Sequence, residues 1–442
     1  MLILTMPTDL AELGLEHFIQ WMGELGQRRA YFMYQGPESG LVASHPELQA
    51  LAEQLRSLRD FREHEAIFLE VGPETKTLQS AFIHKSRRGQ AAGGVRHWPY
   101  HTLEELLRDG LRLSLGMGRK SALAGLWWGG GKGVIAQKPG AELKDTGYRR
   151  ALYREYGSFI TSLRGCYVTA EDAGTRPEDM AEIFRTTRFV TCIPPEFGGS
   201  GNPSVATATG VVCAMEAALD FLGLSSLQGK RICVQGLGNV GSSLIQQLME
   251  KGVGEVLATD ISPSRTESAR VRFSKLPVDI RLVDEEDVDL FREPCDILSP
   301  NALGGVLNPQ TIPFIQAKIV CGGANNQLLE DDRDANALAT RNIVYVPDFV
   351  ANRMGIVRCA NEQYGTLPAD PAIQRHFDET WENSVHVVTH RILEHAQRQN
   401  TTPTHAANAL ADALSEELHP IWGHRSRTIL DSLMADRWHL LG

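Results

Sequence analysis

The sequence predicts an α/β protein in which two domains flank a cleft. Three observations carry this expectation. At 442 residues the chain exceeds what one ordinary core serves, and its length favours two or three domains. Its middle third alternates apolar, strand-like runs (RICVQ, EVLATD, IVYVP) with helical stretches, the rhythm of a parallel sheet. No repeat, low-complexity tract or long linker separates the parts, so the domains should pack closely around a cleft.

The elements follow in order. Over residues 8–30, Leu10, Leu13, Phe18, Trp21, Met22 and Leu25 mark roughly one face of a helix. Ser44-His45-Pro46-Glu47 reads as a capping box for a second helix carrying Leu48, Leu51, Leu55 and Leu58. Residues 1–62 are therefore expected to form an N-terminal helical extension. From about residue 64 the texture changes: AIFLEV and SAFIH read as strands, LEELLRDGLRLSLGMG as a helix, LAGLWW and GVIA as strands. Beyond Pro368, Ile373, Phe377, Trp381, Val385, Val388 and Ile392 keep helical spacing. The expected division is one α/β domain from 63–205 plus 370–442, a second from 206–350, and a hinge at 351–369.

Composition narrows the class. Apolar residues make up 42% and charged residues 22%, a globular profile. The net charge is −10, from 44 basic and 54 acidic residues, with no Lys/Arg run long enough to follow a phosphate backbone. Neither nucleic acid nor an anionic membrane surface is an expected partner. The opening MLILTM lacks the basic start, long apolar centre and cleavage site of a secretion signal, and no stretch of about 18 apolar residues suggests a bilayer span. Seven cysteines, at 166, 192, 213, 233, 295, 321 and 359, stand singly without CxxC spacing. That pattern predicts reduced, buried thiols and a cytoplasmic setting. The 14 histidines are dispersed as well, and no metal site is expected.

Residues 231–260 read RICVQGLGNVGSSLIQQLMEKGVGEVLATD. A short apolar strand enters Gly236-x-Gly238-x-x-Gly241, with Asn239 and Val240 between the last two glycines, and an amphipathic helix follows. Gly236 permits the tight turn, Gly238 lets a pyrophosphate approach the backbone, and Gly241 lets helix and strand pack closely. The helix N-terminus offers free N–H groups to phosphates. Asp260, 24 residues after Gly236, can accept hydrogen bonds from the adenosine ribose. Its charge would repel a 2′-phosphate, favouring NAD over NADP, although Arg265 stands close by. Strand, turn, helix, spacing and terminal acid agree on a Rossmann-type dinucleotide-binding domain.

Lys120 and Lys132 stand twelve residues apart, the second directly after Gly129, Gly130 and Gly131. Bare glycines before a lysine suit the floor of a tight cleft, and Thr169-Ala170-Glu171-Asp172-Ala173-Gly174-Thr175 follows downstream. Singly, a Gly-rich turn or a Glu-Asp pair is as readily a structural loop or cap. Taken in order with Ala92-Gly93-Gly94-Val95-Arg96, Ser200-Gly201-Asn202-Pro203-Ser204, Gly323-Ala324-Asn325-Asn326-Gln327 and Pro347-Asp348-Phe349-Val350-Ala351-Asn352, they resemble a known family. It is the leucine/phenylalanine/valine/glutamate dehydrogenase superfamily, with leucine dehydrogenases most similar, and the resemblance runs from about residue 64 to the C-terminus. It implies a homo-oligomer that oxidatively deaminates an L-amino acid to a 2-oxo acid and ammonia with NAD. By the same resemblance, Lys120 binds the substrate carboxylate, Lys132 is the general base and Asp172 exchanges a proton with the amino group. Thr207 and Asn325 hold the nicotinamide amide. A physical argument supports Lys132: desolvation in a closed cleft and the neighbouring Lys120 both disfavour its charged form.

The family's glutamate-specific members carry a lysine just before the paired glycines 93 and 94, where this chain has Ala92. Ala170, Ile356 and Cys359 match other side-chain-pocket positions, and none is charged. A branched or aromatic apolar substrate is the expectation. Two alternatives stay open: an acidic amino acid met by Arg358, and a catalytically silent nucleotide-binding regulator. Arg353 and Arg358 are expected to face outward on a helix, and at least one of Trp127 and Trp128 to be buried by strand alternation.

Overall fold

Two sheets divide the chain near residue 204. The computed structural model describes residues 9–138, 140 and 145–441, and the MLILTM start lies outside them. The first sheet has seven strands: β1 (Arg29–Tyr34), β2 (Leu41–Ala43), β3 (Ala66–Val71), β4 (Leu78–Ile83), β5 (Ala91–Trp98), β6 (Gly129–Ala136) and β7 (Tyr167–Glu171). Their order is β2-β1-β3-β4-β6-β5-β7. β5 runs parallel to β6 and β7, and the other pairings are antiparallel. One face is covered by α1 (Leu15–Glu24), α2 (Gln49–Ser57) and α3 (Leu103–Leu123), with Phe18, Trp21, Leu51 and Leu107 packed on Phe32, Ile67 and Val134. The opposite face carries α4 (Thr146–Ser162), whose Tyr153, Tyr156 and Phe159 share a core with Tyr31, Phe68 and Val95.

The second sheet has six parallel strands: β8 (Arg231–Gln235), β9 (Glu255–Asp260), β10 (Val278–Leu282), β11 (Ile297–Pro300), β12 (Ile319–Val320) and β13 (Val344–Tyr345). Their order, β10-β9-β8-β11-β12-β13, reverses direction beside β8 and opens the crevice where a doubly wound sheet takes its ligand. α5 (Ser204–Phe221) and α6 (Asn239–Glu250) pack on it. α5 is long and apolar enough to cross a bilayer, yet 67% of it is buried inside this core. The chain then returns through α7 (Met354–Glu362), α8 (Val385–Arg398), α9 (Pro403–Ser415) and α10 (Arg425–Ala435).

Several expectations need correction. The N-terminal segment is not purely helical: the first helix spans only Leu15–Glu24, and Arg29–Tyr34 and Leu41–Ala43 extend the first sheet. The capping box does not form, because the Ser44 hydroxyl accepts from Tyr31 N and bonds His45 Nδ1. LAGLWW is the end of α3 and a turn, so Trp128 is buried and Trp127 is 40% exposed without strand alternation. Helical spacing past Pro368 is interrupted between Phe377 and Val385. Val385 and Leu393 of α8 join the core of the second sheet, so 370–398 does not return wholly to the first domain. About half of the segment 351–369 is α7.

Candidate active site

β6 and α3 set the two lysines. A Cβ on Gly130 would stand 2.4 Å from the Ser114 carbonyl oxygen and 2.9 Å from Gly118 Cα, so α3 passes directly over the glycine run. Lys120, in the last turn of α3, and Lys132, near the middle of β6, line one cleft of about 1290 Å³. Asp172, just past β7, lines it too. Its loop is fixed by Thr175, whose Oγ1 accepts from Asp172 N at 2.9 Å while Thr175 N donates to Asp172 O at 3.0 Å. On β5, a Cβ at Gly94 would lie 2.8 Å from Asp172 Cβ, and only glycine lets the loop close this tightly. Gly93 is shut in likewise by the Gly131 carbonyl.

Within this frame Lys132 Nζ donates to Asp172 Oδ2 at 2.7 Å. Arg96 Nε donates to the same oxygen at 3.2 Å and Nη1 grips both oxygens of Asp109 at 3.0 and 3.1 Å. The Tyr100 hydroxyl closes the chain on Asp109 at 2.6 Å. Burial lowers the Lys132 pKa, against the opposing pull of Asp172. Lys120 is lowered to about 8, again chiefly by burial, with Asp348 opposing and Lys132 reinforcing. Burial pushes Asp172 up, but Lys132 and Arg96 overcome it and hold the carboxyl at about 2. The result is a fixed anion beside lysines inclined to lose their protons.

The positions expected to line the substrate side chain, Ala92, Ala170, Ile356 and Cys359, are all buried. Ala92 and Ala170 lie in one buried cluster with Ile356, Cys359, Val95 and Ile193. Cys359 Sγ stands 3.0 Å from Cys192 Sγ, a proximity that the dispersed sequence positions hid, and all seven thiols are free. Of the two arginines expected to face outward, Arg353 is buried and Arg358 half-buried. Arg353 is wholly buried, with Nη1 donating to Leu123 O at 2.5 Å and Nη2 to Asn383 O. Arg358 Nη2 donates to Ser200 O at 2.9 Å. Both guanidiniums hold backbone carbonyls, and Arg358 Nε has no hydrogen-bond partner among the described residues.

Across the cleft, Asn325 Oδ1 accepts from Lys120 Nζ at 3.2 Å and from Asn352 Nδ2 at 2.8 Å. Thr207, in the first turn of α5, donates to Pro203 O at 3.1 Å. Gly236 sits at φ +96°, and α6 starts at Asn239 with Gly238 at its uncapped N-terminus. Val240 and Gly241 follow in its first turn. Asp260 accepts from Leu237 N at 2.7 Å and Ser262 N at 2.8 Å, with Arg265 Nη1 at 3.8 Å. Its oxygens hold the turn while retaining lone pairs for a ribose. Among the described residues no group of His, Cys, Asp and Glu is arranged to hold a metal.

Residues 76–189 match the Glu/Leu/Phe/Val dehydrogenase dimerisation domain, and residues 198–264 and 264–415 match the glutamate/leucine/phenylalanine/valine dehydrogenase domain. The chain belongs to this family. It is 41% identical to leucine dehydrogenase of Geobacillus stearothermophilus over 336 residues, 76% of this chain and 85% of the relative. Against valine dehydrogenase of Streptomyces virginiae it is 42% identical over 284 residues, 64% of this chain and 76% of the relative. The crystal structure of L-tryptophan dehydrogenase from Nostoc punctiforme superimposes with a TM-score of 0.66 at 32% identity, covering 83% of this chain and 98% of that one.

As an amino-acid dehydrogenase, the chain needs a nicotinamide cofactor, and the uncapped α6 N-terminus behind Gly236 suits a pyrophosphate. The sequence reading missed the Arg96–Asp109–Tyr100 chain that steadies Asp172, and Asp348, whose carboxyl faces Lys120. Arg96 stood in a matched block, two residues from Gly94 on the same strand face, which was the available signal. Asp109 sits among helix residues with nothing local to mark it.

Proposed function

We propose that this dehydrogenase oxidises an L-amino acid with a branched or aromatic apolar side chain to a 2-oxo acid and ammonia, using NAD. The observation carrying the reading is the Lys132–Asp172 pair, 2.7 Å apart in the cleft, with Ala92, Ala170, Ile356 and Cys359 buried together in an uncharged cluster. Bound nicotinamide would accept hydride from the substrate α-carbon. Lys120 receives the substrate carboxylate. Asp172, kept anionic by Lys132 and Arg96, exchanges a proton with the amino nitrogen. Lys132, biased by burial toward its neutral form, takes the proton of the water that adds to the α-carbon, and collapse of that adduct releases ammonia. Thr207 and Asn325 orient the nicotinamide amide. Asp260 supports NAD over NADP, since a 2′-phosphate would meet a carboxylate, and Arg265 at 3.8 Å offsets only part of that repulsion. The match to a dimerisation domain supports a homo-oligomer.

The test is reduction of NAD and of NADP by purified protein across a panel of L-amino acids. Leucine, valine, phenylalanine or tryptophan should turn over with NAD, and Lys132→Ala should lose about 10²- to 10⁴-fold in rate. Turnover of glutamate alone would overturn the apolar assignment. NAD binding without any turnover would overturn the catalytic one.

A further inference from the structure

α7 packs into a buried cluster and borders a cavity. Ile356 and Cys359 pack with Ala92 and Ala170, and Val357 and Ala360 line a cavity of about 740 Å³ apart from the cleft. Lys120, Lys132 and Asp172 do not reach it. Its wall is aromatic, with Trp127, Trp128 and Trp422, and two of these indoles are left partly in water, Trp127 at 40% and Trp422 at 60% exposure. Its charge is cationic. Arg375 and Arg425 both line it, stacked on Trp381 and Trp422 at 4.4 and 5.6 Å. Among the described residues neither guanidinium is paired with a carboxylate, although Arg164 beside them is held by Asp436 at 2.5 Å. The acid on the wall, Asp370, has its two oxygens taken by Ala372 N at 2.9 Å and Asn361 Nδ2 at 2.7 Å. Arg425 also opens α10, whose N-terminus has no side-chain cap and no acid in its first turn. Indole plates, two unpartnered guanidiniums and an uncapped helix start suit one ligand chemistry: a carboxylate on a flat apolar body.

We propose that this cavity binds an aromatic 2-oxo acid, the product class of the reaction proposed above, and that occupancy acts on the active site through α7. The identity of the ligand rests on that reaction. An amino acid fits less well, because its ammonium would face Arg375 and Arg425, and the one carboxylate among the lining residues, Asp370, already accepts from Ala372 N and Asn361 Nδ2. The oxo acid presents only its negative charge and its ring. Since Val357 and Ala360 stand on the same helix as Ile356 and Cys359, a ligand against them constrains the backbone that carries Ile356 and Cys359.

The experiment is equilibrium dialysis of phenylpyruvate against the full chain without nicotinamide, comparing wild type, Lys120→Ala and the double variant Arg375→Gln/Arg425→Gln. Lys120→Ala should retain one phenylpyruvate per chain, and the double variant should bind it at least about tenfold more weakly, as loss of charge-assisted bonds predicts. Arg375→Lys/Arg425→Lys should restore part of the affinity, which separates a lost charge from a lost fold. In steady-state oxidation, phenylpyruvate should show a noncompetitive component in wild type that the double Gln variant lacks at unchanged kcat. A single site abolished by Lys120→Ala would overturn the proposal. So would equal binding of phenylalanine, or dissociation of an oligomer by Trp422→Asp, which would assign the indoles to a second copy of the chain. If no amino acid is oxidised while the arginine-dependent site persists, the anion site stands and its assignment to the reaction product falls.

Discussion

At the scale of single residues, Asp172 is the pivot, because two cations compete for one of its oxygens. Lys132 donates at 2.7 Å and Arg96 at 3.2 Å, and Asp109 holds Arg96 from behind. Arg96 therefore has two electrostatic effects: it lowers Asp172, and it lowers Lys132 by like-charge repulsion. In Arg96→Met both influences vanish, and Asp109, no longer neutralised, favours the charged form of Lys132. The sign follows directly. A base must be unprotonated, so raising the Lys132 pKa moves the rising limb of the kcat/KM profile to higher pH. At neutral pH the variant should lose about tenfold or more, since each pH unit below the limb costs one decade, and activity should recover on the alkaline side. A profile that falls uniformly without shifting would show that Arg96 only supports the loop. The same geometry explains why glycine occupies position 94: any side chain there would press on Asp172 Cβ.

At the scale of elements, α7 is held by groups that no local pattern announces. The Glu362 carboxylate accepts from Cys192 N at 2.9 Å, Ile193 N at 3.2 Å, Ser200 N at 2.9 Å and the Ser200 hydroxyl. It clamps the loop carrying Cys192 and Ile193 against the helix that carries Cys359. Glu362→Ala leaves three backbone donors without that acceptor in a buried place, and stability should fall by about 3 kcal/mol or more. Thermal unfolding measures the loss, and a raised substrate KM should accompany it because Cys192 and Ile193 share the buried cluster of Ala92, Ala170, Ile356 and Cys359. An unchanged melting temperature would mean that water replaces the carboxylate. Such contacts also mark where the sequence stops being legible. The Gly236 turn and β8 were readable because strand, positive φ and helix start lie within a dozen residues. Arg353 looked like a surface charge because its partner Leu123 lies 230 residues away, and burial has pushed its pKa down to about 9. β1 falls within the expected helical extension, 1–62, and its strand pattern is hidden because Ala30–Met33 is buried on both faces, Phe32 with α1 and α2 and Tyr31 with α4. A strand covered on both sides loses the alternation that identifies it.

For the whole molecule, the contact between Lys120 and Asn325 joins the two halves. Lys120 belongs to α3 of the substrate side, Asn325 follows β12 of the dinucleotide side, and they meet at 3.2 Å. Asn352, at the entry to α7, holds the other approach to the same oxygen at 2.8 Å. In the proposed reaction the substrate carboxylate needs Lys120 and the nicotinamide amide needs Asn325. Each ligand therefore takes one member of a pair that the unliganded protein satisfies internally, and arrival of either frees a group for the other. Coupling of this kind is reciprocal by linkage, so substrate should tighten cofactor binding by the factor by which cofactor tightens substrate binding. The direct measurement is a double-mutant cycle on kcat/KM with Lys120→Ala, Asn325→Ala and both together. Residues in contact are expected to be non-additive, with an interaction energy of about 0.5–3 kcal/mol. The double variant should therefore be less impaired than the sum of the singles, since removing one partner already dissolves the latch. Strict additivity would mean that the halves bind their ligands independently, with domain closure driven by the ligands alone.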